Sequence, residues 1–155
     1  MALAAATQAA TITSFTAGTA GNSILAIGQS FTTPGSGPWN NITFNYFSSG
    51  GTPQAAGTLY LLTQVYAGTP AGLSNAVPGF LASTASIVAS QWVFNASETL
   101  QSSSQYFVFT DTELLVNGSN SNGYPGGTAY VSFGGSAYSP FIGDANFALK
   151  RHGRP

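Results

Sequence analysis

The chain has 155 residues but only three basic and four acidic side chains, where an average globular chain of this length carries about 39 charges. Hydrophobic residues make up 43% and aromatic residues 13%, which is too much buried-type surface for a disordered segment. No apolar run approaches the roughly 18 residues of a membrane-spanning helix, and the Glu and Lys that helical bundles rely on are scarce. Composition therefore predicts an all-β protein with a neutral surface.

Residues 1–10 read as a flexible, Ala-rich N-terminal arm with Leu3 as its one large anchor. Met1-Ala2-Leu3-Ala4-Ala5-Ala6 has no basic n-region, but its small residues suit the end of an export signal. The expectation is a chain whose export signal has been removed, placing it outside the cell or on its surface. The arm leads into a strand over Thr11–Thr16. The segment Ala10, Thr11, Ile12, Thr13, Ser14 and Phe15 is the candidate assembly arm. It is an uncharged run able to add a strand to a neighbouring subunit by β-augmentation.

From Ile24 onward the period is two. Strands are expected over Ile24–Thr33, then after Trp39, where Ile42, Phe44 and Tyr46 alternate with Thr43, Asn45 and Phe47. Leu59, Leu61, Thr63 and Val65 alternate with Tyr60, Leu62, Gln64 and Tyr66. Further runs are Ile87–Phe94, Gln105–Asp111, Thr128–Phe133 and Ala145–Leu149. Turn chemistry separates them, as in Pro34-Gly35-Ser36-Gly37-Pro38, Ser48-Ser49-Gly50-Gly51 and Asn122-Gly123. Helix is expected only in fragments, at Leu73–Asn75 or around Ala96–Leu100. About eight short strands in one domain, 11–149, predict an antiparallel β-sandwich of jelly-roll type. Residues 150–155 read as a loose basic tail.

Residues 1–149 contain no Lys or Arg, so the domain lacks the basic face that phosphate contacts require and nucleic acid is excluded as a partner. Membrane insertion is not expected either, because the longest apolar stretches are four to six residues. Zero cysteines remove disulfides and thiol chemistry. Sequons at Asn41, Asn95 and Asn117 are close to chance in a chain this rich in Asn, Ser and Thr.

Catalysis fails on supply. The single histidine, His152, lies in the tail, where nothing predicted from the sequence would orient it for a triad. Asp111 and Glu113 would share a face about 7 Å apart on a strand, within glycosidase range, but they follow the run Gln105–Thr110 and suit a solvated turn better. Asp111, Glu113 and Asp144 could ligate a hard cation with loop carbonyls, although no dense Asp-x-Asp pattern supports this. The expectation is a non-enzyme with no cofactor and no metal.

Gly28-Gln29-Ser30-Phe31-Thr32-Thr33-Pro34, Trp39-Asn40-Asn41-Ile42-Thr43-Phe44 and Gly57-Thr58-Leu59-Tyr60-Leu61-Leu62 occur in that order. They are followed by Tyr66-Ala67-Gly68-Thr69-Pro70, Pro78-Gly79-Phe80-Leu81-Ala82, Tyr106-Phe107-Val108-Phe109, Gly126-Gly127-Thr128-Ala129-Tyr130 and Asp144-Ala145-Asn146-Phe147. Over residues 24–149 this resembles exported bacterial β-sandwich domains of proteins carrying a C-terminal Pro-Glu-Pro sorting signal (PEP-CTERM-like proteins). The resemblance implies a surface-matrix protein with a jelly-roll-like domain and no established enzymatic activity. The Pro-Glu-Pro motif itself does not occur in the sequence.

Two functions compete. The first is a self-assembling extracellular structural protein, a filament, sheath or matrix subunit whose partner is itself. Its support is a near-zero net charge and strands without Lys or Glu gatekeepers. The alternative is a carbohydrate-binding module with polysaccharide as partner, stacking sugars on Trp39, Tyr66, Trp92 and Tyr124. In a β-sandwich the two tryptophans also suit the core, and Tyr124 and Tyr138, in Gly- and Pro-rich loops, are the rings expected to be exposed.

Overall fold

In the computed structural model, which describes residues 9–13, 22–119 and 124–152, the period-two runs become strands. Nine carry the architecture: β1 (Ala10–Thr13), β2 (Ser23–Thr32), β3 (Ile42–Phe47), β4 (Leu59–Leu62), β5 (Phe80–Thr84), β6 (Gln91–Val93), β7 (Gln105–Thr110), β8 (Ala129–Ser132) and β9 (Phe147–Arg151). Shorter pairings fill in around them, and a 3₁₀ turn at Pro70–Gly72 is the one helical piece among the described residues.

All pairings are antiparallel and fall into two main sheets. The first runs β1-β9-β3-β6 and ends on the two-residue strand Ile87–Val88. The second runs β8-β2-β7-β4-β5. With β8 set aside, the first sheet reads first, last, third, sixth and the second reads second, seventh, fourth, fifth. This is the strand order of a jelly roll, with β8 added beside β2. The expected sandwich is therefore present, in the expected topology.

The inner faces meet as the alternation predicts. Ile42, Phe44 and Tyr46 from β3 pack against Leu59 and Leu61 from β4, Val108 from β7 and Phe147 and Leu149 from β9. Phe44 stacks on Phe147 at 5.7 Å between ring centroids, and Tyr46 meets Trp92 edge-on at 6.2 Å. Such offset and T-shaped pairs add to the burial of large rings.

Strand alternation would leave the outer face of the second sheet wet. Instead, loop residues fold over it and build a second core of Ala26, Leu62, Leu73, Phe109 and Tyr138. Tyr138 packs edge-on against Phe109 at 4.9 Å and donates its hydroxyl to the Thr110 carbonyl. It is 5% exposed, not the open loop ring its Gly-rich surroundings suggested. The same layer explains Gly28, because a Cβ there would lie 2.4 Å from the Phe109 ring.

Four further expectations need correction. The Ile87–Phe94 run is a hairpin and not one strand, Ile87–Val88 pairing antiparallel with Gln91–Val93 across Ala89-Ser90. The helical fragments are absent: Leu73 is extended after the 3₁₀ turn, and Thr99–Leu100 forms a short ladder with Trp39–Asn40. The run after Leu62 turns away from the sheet instead of continuing to Tyr66. The tail boundary also moves, since Lys150 and Arg151 complete β9, paired with Thr43 and Ile42 on one side and with Thr11 and Ala10 on the other. Inward alternation of Phe147, Leu149 and Arg151 points the arginine into the end of the core, over Trp39.

Candidate functional site

The polar groups singled out by sequence are spread out and structurally employed. Asp111 lies in a turn after β7, where Oδ1 accepts from the Thr58 amide at 2.8 Å and from the Thr112 hydroxyl at 2.9 Å. Glu113 is exposed beyond the same turn, so the two acids do not share a strand face. Asp144 is fully buried and accepts from the Tyr124 amide at 2.6 Å. Among the described residues, no three His, Cys, Asp or Glu side chains converge to hold a metal ion. His152 is held after all, its Nε2 lying 2.9 Å from the Thr43 hydroxyl and its amide donating to Asn41.

The candidate sugar-stacking rings do not form one platform. Trp39 and Trp92 have no exposed surface, because large rings at the sandwich ends contribute more by burial than by display. Trp92 also donates Nε1–H to the Gly57 carbonyl at 3.1 Å. Half-buried Tyr66 packs on Phe109 in the outer core and donates to the Thr69 carbonyl at 2.8 Å, and burial raises its pKa. Tyr124 belongs to the other core, edge-on to Phe147, with its hydroxyl accepting from the Thr32 amide at 3.0 Å. Tyr66 and Tyr124 thus lie on different layers of the molecule.

The candidate arm is only partly described. Ala10–Thr13 form β1 and pair with β9 of their own chain, Ile12 buries its side chain, and Thr13 donates to the Phe147 carbonyl at 2.8 Å. Ser14 and Phe15 lie outside the described residues. As described, the segment is an edge strand of its own sandwich.

Two apolar surface features emerge that the sequence did not mark. One lateral border of the sandwich is made by consecutive chain, β5 ending the second sheet and Ile87–Val88 ending the first. Leu81, Ile87 and Val88 are exposed along it, Val88 at 61%. The first charged residue of the whole chain is Glu98, so this border carries no gatekeeping charge. At its tip, Ala89 and Ser90 both have positive φ, 51° and 59°. Hairpins favour this mirror-image turn, but Asn-Gly is its usual sequence, and a side chain there costs about 1–2 kcal/mol per residue.

The second feature is a cleft of 320 Å³ toward the opposite border, walled by Leu25, Ile27, Val116, Ala129, Val131 and Phe141, with Phe133 at 60% exposure. Asn22, Ser23 and Asn117 add the polar part of its lining. Ile24 and Leu115, paired across strands next to these walls, are exposed as well. Sequence reasoning missed both features because exposure of an apolar residue at a strand end depends on where the loops go. No protein-family model, curated protein or solved structure matches this chain.

Proposed function

We propose that this protein is a non-enzymatic structural subunit that assembles with copies of itself into an extracellular or surface material, through neutral sheet borders. The observation that carries this reading is the Phe80–Val88 border. Two sheets end side by side there, aliphatic side chains face solvent, and no Lys, Asp, Glu or Pro blunts the edge. Uncharged side chains also leave water at lower cost than ions, which favours broad contacts between copies. The resemblance to sorting-signal β-sandwich domains agrees with this setting.

Light scattering coupled to size exclusion, with negative-stain microscopy of the same sample, tests the proposal. Assemblies of regular form that grow with concentration are expected. A particle that stays at 15.8 kDa across concentrations would refute it.

A further inference from the structure

The three sequons look alike in the sequence, and the fold separates them. Asn41-Ile42-Thr43 runs into β3, where Ile42 and Thr43 are buried and paired with β9. Asn41 turns Nδ2 toward the His152 carbonyl at 3.5 Å, and the Thr43 hydroxyl lies 2.9 Å from His152 Nε2. Asn117 is 1% exposed and its Oδ1 accepts from Asn146 at 3.2 Å. Gly118 and Ser119, which complete that sequon, pair with Ala145 and Asp144. An enzyme that must grip carboxamide and hydroxyl together reaches neither site without opening a sheet.

Asn95-Ala96-Ser97 is different. All three residues are exposed, in the turn that leads from β6 to Thr99. Oδ1 of Asn95 accepts from the Ser97 amide at 2.9 Å and from the Ser97 hydroxyl at 2.8 Å. The Glu98 amide donates to the Asn95 carbonyl at 2.9 Å and closes the turn. The carboxamide and the hydroxyl of the sequon are thus held side by side at the surface. Nδ2 of Asn95 makes no hydrogen bond among the described residues.

We propose that Asn95 is the acceptor of an N-linked glycan, delivered as an oligosaccharide on a lipid diphosphate by an oligosaccharyltransferase. The inference needs the exported setting of the proposed function but not self-assembly. In the transfer, Nδ2 attacks the anomeric carbon of the first sugar and forms a C–N bond. The C–O bond to the diphosphate breaks, the lipid diphosphate leaves with that electron pair, and one Nδ2 proton passes to a base of the transferase. An amide nitrogen is a poor nucleophile because its lone pair is delocalised into the carbonyl. Two donors on Oδ1 make the Nδ2 protons easier to lose, so the turn favours the proton transfer that attack requires. Asn95 follows β6 at the end away from the Ala89-Ser90 turn, so the glycan would stand at one end of the sandwich and leave the hairpin tip uncovered.

The test is transfer in vitro to the folded, full-length chain, with a purified single-subunit oligosaccharyltransferase and its lipid-linked donor. Tandem mass spectrometry maps the site. One glycan per chain is expected, at Asn95. Ser97→Ala should lose it, and Ser97→Thr, which keeps the hydroxyl, should retain it. Both changes fall at an exposed position, and circular dichroism checks that the fold survives. Synthetic peptides spanning each sequon should all be modified, which makes the folded chain's choice a consequence of its structure.

A folded chain left unmodified while the Asn95 peptide is modified would overturn the proposal. So would transfer to Asn41 or Asn117 of the folded chain as readily as to Asn95. Neither result touches self-assembly. A parent chain that stays monomeric would refute the assembly reading and leave the acceptor in place.

Discussion

Arg151 is the sharpest test of the described packing, because its position next to Lys150 and His152 reads as a solvated basic tail. In the structure it is 6% exposed. Its guanidinium carbon lies 4.9 Å from the centroid of the Trp39 ring, and Nη1 donates to the Pro38 carbonyl at 3.3 Å. A desolvated cation–π contact contributes about 2 kcal/mol, and a hydrogen bond from a charged donor about 1.5–3 kcal/mol. The two share one group and do not add fully, so Arg151→Ala should cost about 3 kcal/mol. Arg151→Lys keeps the charge but loses the planar stacking and fork, and should cost about 1–2 kcal/mol.

Against a total stability of about 5–15 kcal/mol, the alanine loss is large. It lowers the melting temperature by about 6–12 °C for a chain of this size. Urea titration followed by tryptophan emission reads the effect, with the midpoint shifted and the slope unchanged. Lys150→Ala, one residue earlier and facing the other side of β9, should stay within about 0.5 kcal/mol of the parent. If Arg151→Ala also falls within that range, the side chain is solvated and the end of the core is not built as described.

Two further predictions concern the interior. Gly127→Ala places a Cβ 1.8 Å from the Ser30 carbonyl oxygen and must push β8 from β2, costing about 2–3 kcal/mol in thermal denaturation. Gly50→Ala, which meets nothing within 4 Å, is the tolerated control, and equal losses at both sites would show that the β8–β2 approach is looser than described. Burial raises the pKa of Tyr46 and Tyr138. Below pH about 10 both folded and unfolded chains hold these protons; above it only the folded chain does, so stability falls by about 1.4 kcal/mol per pH unit for each tyrosine. Tyr46→Phe, which removes a buried hydroxyl without a hydrogen-bond partner, should lessen that alkaline slope by about 1.4 kcal/mol per pH unit while Tyr138 keeps its share, and an unchanged slope would mean that the phenol is solvated.

Much of the fold was legible because the core-facing residues alternate without interruption. Ile42, Phe44 and Tyr46, or Phe147 and Leu149, can bury one face only as strands, and the turn clusters set their lengths. β5 escaped notice because its alternation passes through Ala82, a small residue that fills its inward place without looking like a core anchor. The hairpin after Val88 escaped notice because Ala89-Ser90 lacks the Asn-Gly signal that its backbone would normally demand.

The site was less legible than the fold. Whether a ring or an aliphatic group is covered depends on distant loops: Tyr138 is buried by the outer layer, whereas Val88 and Phe133 are left open. Charge is the part that composition conveyed directly. A chain whose first ionisable carboxylate is Glu98 has neutral borders wherever its early strands fall.

That neutrality leads to the most direct test of assembly. The association constant of the parent chain should be measured by sedimentation from about 0.01 to about 1 M salt, where screening lengths run from roughly 30 to 3 Å. Contacts between uncharged sheet borders predict association that holds or strengthens as salt rises. A chain that stays monomeric throughout, or an association that collapses with added salt, would contradict the account.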